Sequence, residues 1–351
     1  MTAAASDWQR LSPHPQPGSV DDAINTSAHN IVETVKDTTA KKAPITPDNR
    51  GLAYGDGFFS TIAVIDGAIV WQDYHYQRLI SHAQALQLTL DSQKLMVILQ
   101  AHAQQLQQGM MKVVVTRVAQ SVRGYGFTPD TAGSGCEVWL KSVAMPIDTA
   151  MKAQLPDGRT LLMQPMMSAT CLTAQLSCLP PPLSGLKSLN RLDSVLASGE
   201  LQQVKATKPN IGEGLVRDMR GYWVEGTMSN VFYQLSSQFS ESPVANKSQS
   251  QAGLTDSENR TTDYLLSGQW YTPPLTQSGV TGVQRQVIID ALANTETPVT
   301  MRSLNDEDLP NLRGLFFCNA LRGVMPVSEL TLLSGEVVYL SSRTANLTEK
   351  Y

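Results

Sequence analysis

The stretch SGLKSLNR, residues 184–191, sets Lys187 behind Gly185 and Leu186 and just ahead of Asn190 and Arg191, at the threshold of a helix expected over about 190–205. Read alone, Lys187 is an ordinary solvated charge near a first turn. Yet an amine held in apolar company beside other cations gives up its proton more readily, and the neutral amine is the form that attacks a carbonyl. Three further stretches shift the balance. VEGTMSN (224–230) ends a strand on Glu225 and turns through Gly226, so the carboxylate is either a hairpin surface charge or a buried partner for a protonated ring nitrogen. GVTGVQR (279–285) enters a helix at Gly282, which aims the amides of Val283 and Gln284 at an anion with the positive end of the helix dipole behind them. NRGLAYGDGFFST (49–61) brings Arg50 ahead of Gly55 and Gly57, and an arginine joined to a helix N-terminus makes a phosphate clamp.

Composition narrows the alternatives. The chain has 351 residues, 42% of them hydrophobic, enough for two packed α/β domains. A formal net charge of -4 supplies no basic field for polyanions, so nucleic acid is not an expected partner. Four cysteines (Cys136, Cys171, Cys178 and Cys318) lack the spacing of a zinc site and sit in apolar surroundings, which reads as reduced thiols in a cytoplasmic protein. The N-terminus shows no basic region followed by an apolar one and no run is long enough to span a bilayer, so a soluble, unexported protein is expected; no metal motif or Walker loop occurs. All five histidines lie in the first third; His75, His82 and His102 fall on expected helices and read as packing residues.

Along the chain, residues 1–48 form a Pro/Ser/Thr/Ala-rich arm expected to be largely irregular. A smaller α/β domain is expected over 49–146. In it FFSTIAVIDGAIV (58–70) reads as a hairpin turning at Asp66-Gly67, and helices are expected to be capped by Asp73 and by Asp91. Strands are expected at 110–119 and 136–145, joined by the Gly-rich loop SVRGYGFTPDTAGSG (121–135). Residues 147–157 read as a linker, and 158–351 as a larger α/β domain with a polar, low-complexity insertion at 236–267.

A Schiff-base lysine, a ring-nitrogen carboxylate and a phosphate clamp together describe a pyridoxal 5'-phosphate site. The strings NRGLAYGDGFFST, GLKSLNRLDSVLA, GYWVEGTMSNVFY, GVTGVQR and CNALRGVMPV, in this order, resemble the fold-type IV pyridoxal-phosphate enzymes, the branched-chain and D-amino acid aminotransferase family. Within it they are most similar to the 4-amino-4-deoxychorismate lyase branch. The resemblance implies a two-domain α/β (α+β) fold with the cofactor between a smaller and a larger domain. It implies that Lys187 carries the cofactor and is the catalytic base, and that Glu225 pairs with the pyridine nitrogen. Arg50, the Val283 and Gln284 amides and the Asn319 region would hold the phosphate, Ser229 and Asn230 would line the cofactor, and Arg123 and Tyr125 would face substrate from a loop across a homodimer interface. Thr61 or a water would assist the leaving oxygen. The implied reaction turns 4-amino-4-deoxychorismate into 4-aminobenzoate and pyruvate; a branched-chain or D-amino acid aminotransferase is the alternative, and a non-catalytic cofactor-binding scaffold a third reading. Gln284 stands where aminotransferase relatives have a threonine, so one side-chain phosphate contact is not implied here.

Overall fold

The hairpin at Asp66-Gly67 forms because both residues adopt left-handed backbone, with φ of 52° and 72°, the pairing whose twist matches that of antiparallel strands. The computed structural model in which it is seen describes residues 8–11, 45–128, 135–147, 151–236 and 268–340. Most of the expected arm (1–48) and all but one residue of the expected insertion (236–267) lie outside those residues. The chain falls into two units, one within Met1–Ile147 together with Leu186–Asn190, the other within Asp148–Gly185 and Arg191–Tyr351. The lysine-bearing pentapeptide therefore groups with the first unit although its flanks belong to the second.

In the first unit the strands are β1 (Gln9–Leu11), β2 (Gly57–Ile65), β3 (Ala68–Ile69), β4 (Gly109–Arg117) and β5 (Cys136–Ala144), ordered β1-β5-β4-β2-β3. All pairings are antiparallel, with β2 against β4 from Gly57↔Thr116 to Val64↔Gly109. Alternation puts Phe58, Ile62 and Val64 of β2, Met111, Val113 and Val115 of β4, and Val138 and Leu140 of β5 on one face. Two helices, Gln72–Ala85 and Ser92–Leu106, cover that face with Leu79, Ala83, Leu95 and Leu99. Asp91 caps the second of them, accepting from the Lys94 amide at 2.9 Å. Asp73 does not cap the first: Trp71 is the N-cap, in left-handed conformation, and Asp73 lies inside the first turn, where its charge faces the helix dipole instead. β1 was not expected within the arm.

The second unit is built on β6 (Met151–Gln154), β7 (Thr160–Met163), β8 (Met167–Leu176), β9 (Ile211–Asp218), β10 (Trp223–Gly226), β11 (Asn230–Leu235), β12 (Tyr271–Thr272), β13 (Thr300–Met301), β14 (Leu312–Asn319), β15 (Gly323–Thr331) and β16 (Val337–Tyr339). Six of them close a ring: β10 pairs β11, β11 pairs β14, β14 pairs β15, β15 pairs β8, β8 pairs β9 and β9 returns to β10. Closure removes sheet edges, and the ring is filled by Leu215, Trp223, Val231, Tyr233, Leu315, Phe317 and Met325, all fully buried. The helix Leu192–Thr207 packs Ala197 and Leu201 against Leu172, Leu176, Ile211 and Val216. The expected linker is corrected here. Met151–Gln154 is a strand zipped to β7, and its polar look arises because Lys152 and Gln154 are exposed while Ala153 alone is buried, as on an edge.

Candidate active site

Lys187 is held by its backbone. The segment runs antiparallel to β2 through the Phe58↔Ser188 bridge, with the Phe59 amide donating to the Lys187 carbonyl and the Leu189 amide to the Gly57 carbonyl, both at 3.0 Å. The Lys187 amide in turn donates to Nε2 of His82 at 3.0 Å. An imidazole nitrogen that accepts carries no proton, so the proton of neutral His82 sits on Nδ1, 3.2 Å from the Ser81 hydroxyl. Burial, aided by the positive charges of Arg78 and Lys187, pushes the His82 pKa down to about 3, which keeps that acceptor available. Phe58 meets the His82 ring edge-on at 5.4 Å, and the Lys187 ammonium lies 4.7 Å from the centre of the Phe59 ring. Leu186 is buried and Lys187 itself half-buried, so the amine has apolar neighbours.

Beneath this segment lies a polar cluster that the sequence reading passed over. Arg78 donates to the Ser60 hydroxyl at 3.4 Å, and that hydroxyl is 2.9 Å from Nδ1 of His75. Burial lowers the Arg78 pKa to about 10 and, with Arg78 beside it, that of His75 to about 3. Arg78 and Lys187 both bear on His82, so positive charge is concentrated on neutral imidazoles, a setting that attracts an anion. The histidines are packed core residues, as expected, but His82 has the additional task of fixing Lys187. Its sequence signal is silent because the two partners are 105 positions apart.

Arg50 is differently employed from the phosphate clamp expected of it. Its Nε donates to Asp56 at 2.8 Å and its two terminal nitrogens to the carbonyls of Gly124 (3.3 Å) and Tyr125 (2.9 Å). The guanidinium is thus committed to pinning the RGY turn, and Asp56 also accepts from Nε of Arg117 at 2.9 Å. Tyr54 and Tyr125 touch ring to ring at 5.1 Å, while Tyr125 remains 83% exposed. Arg123 is exposed on the same turn. Thr61 follows Phe59 by two residues along β2, so it shares the sheet face on which the Lys187 amine rests.

In the second unit Glu225 is 5% exposed at the end of β10. Its Oε2 accepts from the Val280 amide (2.8 Å) and from Nδ2 of Asn230 (3.3 Å), and its Oε1 from Arg191 (3.1 Å). Asn230 also donates to the Val280 carbonyl at 2.8 Å, locking the 279–282 turn onto β11. Gly279 has φ of 80°, and a Cβ there would meet Val224 and the Glu225 carboxylate, so both strain and space demand glycine. Ser229 is spent on Glu213: its hydroxyl donates to Oε2 at 2.8 Å while Thr227 donates to Oε1 through its amide and hydroxyl. The buried Glu213 therefore shapes the turn that follows Glu225. The helix Val283–Leu292 starts at Gly282 with no side-chain cap, and Val283 and Gln284 are buried. Uncapped buried amides at a helix start suit an anion. Asn319 uses its Oδ1 to accept from the amides of Leu321 and Arg322, at 3.1 and 2.8 Å, and so serves the β14–β15 turn.

Among the described residues no group of three acidic, His or Cys side chains could hold a metal, and no helix is long and apolar enough to cross a membrane. All four cysteines are thiols, and burial pushes Cys136 to about 11 and Cys171 to about 12.

Residues 57–330 match the amino-transferase class IV family. The chain is 25% identical over 320 residues to a putative branched-chain-amino-acid aminotransferase of Methanocaldococcus jannaschii, covering 89% of this chain and 91% of that one. It is 22% identical over 283 residues to the aminodeoxychorismate lyase of Vibrio harveyi, covering 81% and 86%. The crystal structure of 4-amino-4-deoxychorismate lyase from Pseudomonas aeruginosa superposes with a TM-score of 0.64 at 26% identity, covering 87% of this chain and 93% of that one. Family members use pyridoxal phosphate, and one similar fold, a hypothetical aminotransferase from Mycobacterium tuberculosis with a TM-score of 0.59 at 16% identity, covering 86% of this chain and 89% of that one, is a PLP-bound form. With the match spanning most of its length, this chain belongs to the class IV aminotransferases, the fold-type IV pyridoxal-phosphate enzymes.

Proposed function

We propose that the chain is a pyridoxal-phosphate lyase that splits 4-amino-4-deoxychorismate into 4-aminobenzoate and pyruvate. The observation that carries the reading is the mounting of Lys187: a backbone fixed by β2 and a neutral histidine, with the amine over an aromatic face near a second buried cation. The likeness to the Pseudomonas lyase supports the lyase over the transaminase. The residues present fit the cofactor chemically. Glu225 offers a buried carboxylate to a pyridinium, and the helix start at Val283 and Gln284 offers amide donors and the positive end of a helix dipole to a phosphate. Arg78 suits the phosphate charge better than Arg50, whose donors already serve Asp56 and the 124–125 carbonyls. Ser229, Asn230 and Asn319 act here as the frame that holds the donors in place.

When bound, the cofactor supplies an electron sink for charge left on the carbon bearing the substrate's nitrogen. Lys187 would hold the cofactor and, once the substrate's amine has displaced its own, would take the proton from that carbon. Glu225 keeps a proton on the ring nitrogen, with Asn230 and the Val280 amide fixing its carboxylate. Thr61, on the same face of β2 as the Phe59 ring under the lysine, would give a proton to the departing enolpyruvyl oxygen, and Arg123 and Tyr125 would meet substrate from their turn. A homodimer accords with the exposed Leu192, Val195 and Leu196, which present an apolar stripe on one helix.

The alternative, a branched-chain aminotransferase, is favoured by the Methanocaldococcus relative. A product assay separates them: the lyase forms 4-aminobenzoate with no keto-acid acceptor, and a transaminase makes no product without one. In Lys187→Ala the absorbance of covalently held cofactor is expected to vanish and turnover to fall at least about 10³-fold. A colourless wild-type protein, or 4-aminobenzoate formation that requires a keto acid, overturns the reading.

A further inference from the structure

Thr61, Lys112 and Lys141 sit in one row across β2, β4 and β5, in the register Thr61↔Lys112↔Lys141, on the face of the sheet opposite the core. Like charges directly opposite across strands repel and destabilise a sheet. Among the described residues neither lysine has an acidic partner to offset this; the nearest carboxylate on that face of β5, Glu137, is already engaged by Arg10 and Asn49 at 2.8 and 3.0 Å. Both lysines are half-buried. The Lys112 ammonium lies 4.9 Å from the centre of the Phe59 ring, the same ring that carries the Lys187 ammonium at 4.7 Å. The two amines are therefore no farther apart than those two distances combined. A six-membered ring with an amine at one end and a carboxylate at the other fits within that limit, with its amine towards Lys187 and its carboxylate towards Lys112.

We propose that Lys112, with Lys141 beside it, is the carboxylate-binding pair that selects a dicarboxylate, dianionic substrate over monocarboxylate amino acids. The proposal rests on the lyase reading and names the side chains by which that substrate is told from a branched-chain amino acid. An anion resting on the pair would relieve the repulsion between the two lysines, and a neutral side chain would leave it in place.

The test uses the cofactor-loaded protein and chorismate, a dicarboxylate whose hydroxyl replaces the amine and which therefore cannot join Lys187. Equilibrium binding is read by calorimetry at two salt concentrations. In Lys112→Gln the Kd is expected to rise about tenfold to a hundredfold, the effect of losing a charge-assisted hydrogen bond, while the cofactor absorbance stays unchanged. Lys141→Gln should shift it several-fold, and Lys112→Arg should retain binding, which guards against a merely unfolded variant. Binding should weaken with salt. A Kd unmoved in Lys112→Gln, equal binding of chorismate and leucine, or no chorismate binding by the wild type overturns the proposal. Chorismate held through Lys112 by a protein that makes no 4-aminobenzoate overturns the lyase reading instead, and leaves the carboxylate pair standing.

Discussion

The first unit holds Lys187 by its main chain, and the second holds Glu225 densely by its side chain. Around the lysine, one amide-to-imidazole bond and two strand bonds fix the main chain, and the side chain rests on an aromatic face. Around the glutamate, a backbone amide, an amide side chain and a guanidinium engage both carboxylate oxygens, and a second buried carboxylate, Glu213, braces the turn beyond. A group that must change partners needs its backbone fixed and its side chain mobile. A group that must hold one proton in place needs its oxygens immobilised. Under the proposed function these are the tasks of Lys187 and Glu225.

That contrast can be broken first at the dense end. Glu225→Ala leaves the half-buried Arg191 without its carboxylate, so the second unit is expected to lose about 3–5 kcal/mol, seen as a drop in the urea midpoint, and kcat about 10²–10³-fold. Glu225→Gln should spare most of the stability and little of the activity, which separates holding a proton from holding a fold. At the sparse end the effect is smaller. His82→Ala removes the acceptor for the Lys187 amide and is expected to cost about 1–3 kcal/mol and to shift the pH at which the lysine-linked cofactor band titrates, whereas His82→Gln, which can still accept, should restore much of both.

Acid sharpens the same comparison. His75 and His82 have folded pKa values near 3, below the ordinary 6.5, so between those limits the unfolded chain binds more protons than the folded one. Stability is then complete above pH 6.5 and falls as pH drops towards 3, by up to about 1.4 kcal/mol per pH unit for each histidine. Urea midpoints measured from pH 7 to pH 4 should slope more gently in His82→Gln than in the wild type. Equal slopes would mean that His82 is not held neutral by the fold.

Much of this was legible in the sequence because local chemistry dictated it. Asp66-Gly67 had to be a tight turn, Asp91 a cap, and Gly282 the start of a helix, and each is so because its partner lies within a few residues. Glu225, at a strand end before a glycine, stayed open between a surface charge and a buried partner until the structure showed it buried. What failed to show were contacts made across long stretches of chain. Arg50 read as a clamp because glycines follow it, yet its partners are Asp56 and the carbonyls of residues 124 and 125. His82 read as packing, and Arg78 one turn before it on the same helix was passed over, because nothing near them in sequence signals Ser60 or Lys187. The strand Met151–Gln154 was hidden by its own exposure, having one buried side chain to show.

Gly279 carries a consequence for how this protein can drift. Any side chain there would press on Val224 and the Glu225 carboxylate while also forcing an unfavourable backbone, so two independent penalties guard one position. Substitutions that retune the carboxylate must then arrive from the other flank, through Arg191 or Asn230, where a change of charge or length meets a side chain instead of a wall. Natural variation in the acidity of this group, and any laboratory search for it, is channelled to those two positions.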